Sequence, residues 1–307
     1  MFEFRTGQPE EHIITALWDK ICSLTNNTQL MGDVQAWFRE DVGNDGAVVL
    51  YKNGELAGVC SGVMHKHHFT SVIVFVFPEY LPDLDVKLFY EKITEIWTNL
   101  PGVERIMAEF ESWRKIFGPS CPEYDLSEFG FNRHTRLLMQ ADLTGYQTEK
   151  KARRYSSDKT DLLFEIKPLT KEHFPRVRKI LSGIVEPGLE DVWDEAFIDY
   201  NIEKCLTDVA ETENSVCKGA FVKGELQGFL FVDPQGFVRY TAVSKKIAGK
   251  GIGTALMKTG LDKLAALGVS NSKLIVTEVN KPAVRLYEKT GFKEIGRYSV
   301  WTWHKKS

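Results

Sequence analysis

Alternating apolar and polar positions dominate the second half of the chain, and stretches with helical spacing separate them. Residues 163–168 read as a strand, and 171–181 and 192–206 as amphipathic helices. The apolar runs 217–222, 226–232 and 237–243 then form an antiparallel meander. Ile252, Leu256, Leu261, Leu264 and Leu267 fall close to one face, which predicts a helix from Ile252 onward. A strand over 273–279, a helix over 281–289 and two final strands follow. Tyr298, Val300 and Thr302 alternate with Ser299, Trp301 and Trp303, as a last strand should. The predicted architecture of this half is an α+β sandwich.

Two landmarks of the second half recur in the first, in the same order. Lys52-Asn53-Gly54-Glu55-Leu56-Ala57-Gly58 matches Val222-Lys223-Gly224-Glu225-Leu226-Gln227-Gly228. Both lie between apolar alternations, so both read as tight hairpins with Asn53-Gly54 and Lys223-Gly224 at the turn. Glu128-Phe129-Gly130-Phe131 likewise parallels Lys289-Thr290-Gly291-Phe292. A duplicated domain follows: residues 1–145 and 161–307, joined by a charged, serine-containing linker at 146–160 without apolar periodicity. The basic cluster in that linker reads as solvated surface rather than a nucleic-acid contact.

Candidate chemistry centres on Gly249-Lys250-Gly251-Ile252-Gly253, between a strand and a helix. Glycines there let backbone amides converge without Cβ atoms in the way, and the helix N-terminus adds partial positive charge. Such a turn suits a phosphate or diphosphate, although glycine-rich turns also occur without a ligand. It is not a P-loop, because the Gly-Lys pair Gly249-Lys250 is followed by Gly251 rather than Ser or Thr. Nor is it a dinucleotide fingerprint, since Thr254 stands at the third glycine and no acidic residue follows about 20 positions later. In the first half, the strand 71–77 leads instead into Pro78-Glu79-Tyr80-Leu81-Pro82-Asp83-Leu84-Asp85. Two prolines remove amide donors there and three carboxylates repel phosphate. Further on, Asn280 suits a helix cap, Pro282 the first turn, and Gly291 a left-handed end.

The segment 243–256, with Leu274-Ile275-Val276-Thr277-Glu278-Val279-Asn280 and the 280–292 stretch ending in Gly291-Phe292, resembles the GCN5-related N-acetyltransferases. The resemblance covers about residues 160–307. It implies two tandem domains of that fold, each a mixed, mostly antiparallel sheet flanked by helices, the first having lost its phosphate loop. It implies an acyltransferase that moves an acetyl group from acetyl-CoA to a primary amine of a small molecule or peptide, by direct attack on the thioester. Ala242, Val243 and Ser244 then match the strand end that holds the pantetheine. Gly249, Lys250, Gly251, Ile252, Gly253 and Thr254 match the diphosphate loop, and Asn280 a position near the pantetheine arm. Tyr287 matches the general acid; the residues alone also fit a half-buried aromatic whose hydroxyl finds a partner. Glu278, at the strand end, is the candidate base. Glu186, Glu190, Asp191 and Trp193 lie in the segment that lines the substrate groove. One departure is Ala248, where the family usually has Arg or Gln; Lys245, Lys246 and Lys250 can supply that charge. A catalytically silent CoA-binding or regulatory protein, and a transferase using an aminoacyl or longer acyl donor, are the alternatives.

Composition narrows the rest. The chain has 307 residues, 43% apolar and 26% charged, with a formal net charge of −3, enough for two domains and without electrostatic bias toward an acidic polymer. Five scattered cysteines with no C-x-x-C pair, and no apolar signal core or membrane-length run, fit a reduced, cytoplasmic protein. No nucleic acid, membrane or metal is expected, and the chain is expected as a monomer or homodimer. In His65-Lys66-His67-His68, His65 and His67 share one strand face on this reading, without a carboxylate or cysteine nearby in sequence. Trp193, Phe197 and Tyr200 fall at helical spacing and read as core packing.

Overall fold

The computed structural model describes residues 2–24, 46–109, 120, 122, 124–146, 155–157, 160–205 and 212–306. The chain divides into two compact units, Met1–His134 with Tyr298–Ser307, and Thr135–Arg297. These units differ in extent from the sequence halves 1–145 and 161–307. Two long strands, β6 (Asn132–Asp142) and β13 (Lys293–His304), each begin in one unit and end in the other.

In the first unit, β1 (Phe2–Thr6), β2 (Val48–Lys52), β3 (Glu55–His65) and β4 (His68–Val76) pair antiparallel in sequence order. A short strand, β5 (Arg105–Ala108), joins β4 in parallel, and the end of β13 pairs antiparallel with β5 from Trp301↔Ala108 to His304↔Arg105. The helix Val86–Thr98 turns Phe89, Tyr90, Ile93, Thr94 and Trp97 inward. Its start is fixed by Asp85, whose carboxylate accepts from the Leu88 amide at 3.0 Å. The helix Glu11–Leu24 supplies a second apolar face, with Ile14, Leu17, Trp18 and Ile21 against Val59, Phe75 and Phe77.

In the second unit, β7 (Tyr155–Ser157), β8 (Thr160–Pro168), β9 (Val216–Val222), β10 (Glu225–Val232) and β11 (Val238–Val243) form a sheet in the order β11-β10-β9-β8-β7. Successive residues of β10 face opposite ways. Phe229 and Phe231 pack with Val177, Ile180 and Ile198 of the helices Phe174–Ser182 and Glu195–Cys205. Leu230 and Val232 pack with Leu256, Leu261 and Leu264 of the helix Ile252–Ala266. Burial on both faces explains why 226–232 is nearly continuous in apolar residues. The strand β12 (Asn271–Thr277) runs antiparallel to β6, from Asn271↔Asp142 to Thr277↔Arg136. The residue before β11 meets it at one isolated parallel bridge, Phe237↔Lys273, supported by the Lys273 amide on the Gly236 carbonyl at 3.0 Å. Past that bridge no ladder pair joins β11 and β12 among the described residues.

Several sequence expectations shift. Both hairpin turns form as expected, with φ of +52° at Asn53 and +84° at Gly54, and +49° at Lys223 and +83° at Gly224. The helix expected from residue 192 starts at Glu195, because the Asp194 carboxylate caps the Phe197 amide at 3.0 Å. One strand, Lys293–His304, replaces the two expected at the end, and Tyr298, Ser299, Val300, Trp301 and Thr302 are all buried rather than alternating. His65 and His67 do not share a strand face: Lys66 has φ +53° and His65 pairs with His68, so the segment is a hairpin turn. Within the expected linker, Tyr155–Ser157 form β7; residues 147–154 and 158–159 lie outside the described residues.

Gly58, in β3, is fixed by close approach rather than by φ. A Cβ there would lie against the Phe75 carbonyl oxygen and 3.0 Å from the Val76 Cα, both backbone atoms that cannot step aside cheaply. Gly58→Ala is expected to cost about 1–3 kcal/mol, read as a lowered urea midpoint of the intact chain.

Candidate functional site

The turn after β11 has few ways to satisfy its own donors. The Ser244 amide donates to the Gln227 carbonyl at 2.8 Å, and a single 3₁₀ turn, Lys245–Ile247, follows. Gly249 and Gly251 then take φ of +77° and +81°, a conformation that L residues adopt at a cost of about 1–2 kcal/mol. Gly251 is the N-cap of the helix Ile252–Ala266, and no side chain caps it. The first intrahelical bond runs from the Ala255 amide to the Gly251 carbonyl at 3.0 Å. Among the described residues, nothing accepts from the amides of Gly249, Lys250, Gly251, Ile252, Gly253 and Thr254. Six consecutive unaccepted donors at a helix N-terminus make a concentrated site for an anion. Lys245 and Lys246 are exposed and Lys250 half-buried, and none has an ion-pair partner among the described residues. Ala248 is exposed beside them.

The loop packs closely on its neighbours. A Cβ on Gly253 would lie 3.1 Å from Leu286 and 3.8 Å from Val243, so the loop, the end of β11 and the helix Lys281–Lys289 meet there. Ala242, Val243 and Ser244 are half-buried. Since the Ser244 amide points to β10, backbone alternation turns the Val243 amide to the other edge of β11. Asn280 caps the helix Lys281–Lys289 through its side-chain oxygen, which accepts from the Ala283 amide at 3.3 Å. Tyr287 is buried against Phe292, with ring centroids 6.0 Å apart. Among the described residues its hydroxyl has no hydrogen-bond partner. Burial, and then the negative charge of Glu186, push its pKa well above the ordinary tyrosine value.

The carboxylates singled out in the sequence part company. Glu186 is half-buried beside the end of β12; it lies 3.2 Å from the Thr277 hydroxyl and 3.4 Å from the Thr277 amide. The Thr277 hydroxyl also donates to the Pro187 carbonyl at 2.5 Å. Glu278 falls one residue beyond β12 and pairs with Arg297 at 3.4 Å, while Arg297 also holds Glu294 at 2.7 Å. Glu190 is exposed and accepts from the Gly188 amide at 2.7 Å, within its own loop. Asp191 is half-buried. The Trp193 ring lies tilted against Phe197 with centroids 5.5 Å apart, and its ring N–H donates to the Leu181 carbonyl at 3.4 Å. Sequence reasoning missed Thr277 and Arg297. A hydroxyl at the last residue of an apolar strand is a weak local signal for the first, and no spacing signals the second.

In the first unit, the described residues after β4 form no counterpart of the glycine loop. After β4 comes a 3₁₀ helix, Pro78–Asp83. Glu79 pairs with Lys20 at 2.6 Å and Asp83 pairs with Lys52, so the lysines there are already matched by carboxylates. Leu126, where the repeat would place a tyrosine, is buried.

Fold and loop together define a two-domain α+β protein whose second half carries a helix N-terminus with unaccepted amides, beside two strands that share no ladder. Residues 175–292 match the acetyltransferase (GNAT) family. The chain is similar over its whole length to two solved structures. One is a GCN5-related N-acetyltransferase from Sphaerobacter thermophilus, with TM-score 0.62 and 12% identity, covering 99% of this chain and 95% of that one. The other is a tandem GNAT protein from the clavulanic acid biosynthesis pathway, with TM-score 0.59 and 14% identity over 100% of both chains. A mycothiol acetyltransferase of Thermomonospora curvata is 40% identical over 81 residues, which are 25% of this chain and 26% of that protein. The chain thus matches about a quarter of that curated relative's length. Residues 175–292 thus form an acetyltransferase domain of the GNAT family, and the whole chain has the fold of a tandem GNAT protein. Among the described residues no helix is long and apolar enough to cross a membrane.

The raised Tyr287 pKa has a consequence for stability. The folded state keeps this proton to higher pH than the unfolded chain, whose tyrosines titrate near about 10. The associated stability is complete below about pH 10 and is lost as pH rises above it, because the unfolded chain then binds fewer protons. Urea midpoints should therefore fall less steeply with alkaline pH in Tyr287→Phe than in the wild type.

Proposed function

We propose that the chain transfers an acetyl group from acetyl-CoA to a primary amine of a small molecule or peptide. The observation that carries this reading is the run of six unaccepted amides at the start of the helix Ile252–Ala266, flanked by three lysines without ion-pair partners among the described residues. Those groups fit the diphosphate of coenzyme A, with donors from Gly249, Lys250, Gly251, Ile252, Gly253 and Thr254. Ala242, Val243 and Ser244 would hold the pantetheine along the free edge of β11, near Asn280. Bound there, acetyl-CoA supplies an activated acyl group.

The chain's own residues then do three things. The Val243 amide, aimed away from β10, stabilises negative charge that develops on the acyl oxygen. Tyr287, kept neutral by burial, donates its proton to the departing sulfur. A carboxylate at the end of β12 takes a proton from the acceptor, whose alkyl ammonium has a pKa comparable to lysine, near about 10. Glu278 and Glu186 both reach that end, and they differ in company, since Glu278 is held by Arg297. The relative named for mycothiol supports acetyl transfer as the reaction class; its match to a quarter of this chain does not extend to the acceptor.

Two measurements test the reading. Calorimetry should detect acetyl-CoA binding to the intact protein, and Gly251→Ala, which strains the loop and crowds its amides, should weaken it by about tenfold. Thiol release with an amine panel should occur and should fall about 100-fold in Tyr287→Phe, at unchanged acetyl-CoA affinity. Binding without thiol release for every amine would leave a silent CoA-binding protein. Tighter binding of longer acyl thioesters would indicate a different donor.

A further inference from the structure

We propose that Glu186 is the seat of the acceptor's ammonium group, so that the acceptor is an amine that arrives as a cation and gives up its first proton to this carboxylate. The inference rests on the acetyl-transfer reading and specifies its substrate side.

Glu186 is half-buried, and burial of a carboxylate is costly unless charge or hydrogen bonds compensate. Its compensation within the chain is thin. The Thr277 hydroxyl stands 3.2 Å away, but its one proton has a shorter path to the Pro187 carbonyl at 2.5 Å. The Thr277 amide is at 3.4 Å. Charge-assisted bonds between nitrogen and carboxylate run shorter, at about 2.7–2.9 Å. No lysine, arginine or histidine among the described residues pairs with Glu186. The other acids of this region are engaged: Glu278 with Arg297, and Glu190 with the Gly188 amide. Glu186 therefore lacks the cation that Glu278 has in Arg297. Its negative charge also adds to the burial that raises the Tyr287 pKa, so carboxylate and phenol share one electrostatic neighbourhood. An ammonium bound to Glu186 would complete the carboxylate's environment and set the nitrogen near the reacting end of the site.

The proton balance closes. The ammonium gives one proton to Glu186, which frees the lone pair. The nitrogen–carbon bond forms as the carbon–sulfur bond breaks, and Tyr287 protonates the sulfur. The nitrogen's second proton restores Tyr287 through solvent, and Glu186 returns its proton to water. The products are an acetamide, a free thiol and one proton.

The test uses the full chain with benzylamine, tyramine, spermidine, glucosamine and a lysine amide blocked at its α-nitrogen. Thiol release gives KM and kcat for each, and calorimetry gives acetyl-CoA affinity independently. For an amine that is turned over, Glu186→Gln should raise KM about 10- to 100-fold, with acetyl-CoA affinity unchanged. Glu186→Asp, which keeps the charge, should recover part of the loss. Calorimetric binding of the same amine to the CoA-loaded protein should weaken in parallel in Glu186→Gln. An unchanged amine KM in Glu186→Gln overturns the ammonium seat and leaves acetyl transfer standing. An equal loss of acetyl-CoA affinity also overturns it, because the carboxylate would then be serving the fold or the coenzyme. Acetyl-CoA binding without thiol release from any amine defeats acetyl transfer and the seat together.

Discussion

Two glycines held at positive φ ahead of a helix are the constraint on which the second unit's site depends. They turn the chain so sharply that Gly249, Lys250, Gly251, Ile252, Gly253 and Thr254 cannot direct their amides to neighbouring carbonyls. The helix behind them aligns its peptide dipoles toward the same point, equivalent to roughly half an elementary charge. Because Gly253 lacks a side chain, Leu286 and Val243 close around the loop, which ties its position to β11 and to the helix that carries Tyr287. Glycine loop, strand end and the helix bearing the phenol are thereby tied together around Gly253.

The first unit is informative by contrast. Its hairpin at Asn53-Gly54 has nearly the same φ angles as the one at Lys223-Gly224, so the recurring sequence landmark forms the same kind of turn in both halves. After β4 a 3₁₀ helix stands in place of a glycine loop, and the charges near it are neutralised internally, Lys20 by Glu79 and Lys52 by Asp83. A surface whose lysines are already paired offers a phosphate little net attraction, since each ion pair would have to be broken first.

Much of this was legible in the order of residues. The hairpin turns, the cap at Asn280, and the run from β9 to β11 rest on local preferences, and local preferences are written locally. The glycine loop was legible because glycine at a forced φ is a signal that no other residue gives. What escaped depends on distance along the chain. Thr277 and Glu186 are 91 positions apart, and nothing in either neighbourhood announces the other. Arg297 reaches Glu278 across 19 positions without periodic spacing. The alternation expected over 298–303 failed because that strand is buried on both faces, which removes the polar side the reading relied on.

The path of β6 and β13 bears on how such a protein can be divided. Residues 135–142 precede the segment that joins the sequence halves, yet they pair with 271–277 beyond it. Residues 301–304 come last, yet they pair with 105–108. A gene split between the halves would give two polypeptides, each holding a strand that the other's sheet needs. Such a chain resists evolutionary fission into independent modules, and a lone second half cut from it would start life with an open sheet edge.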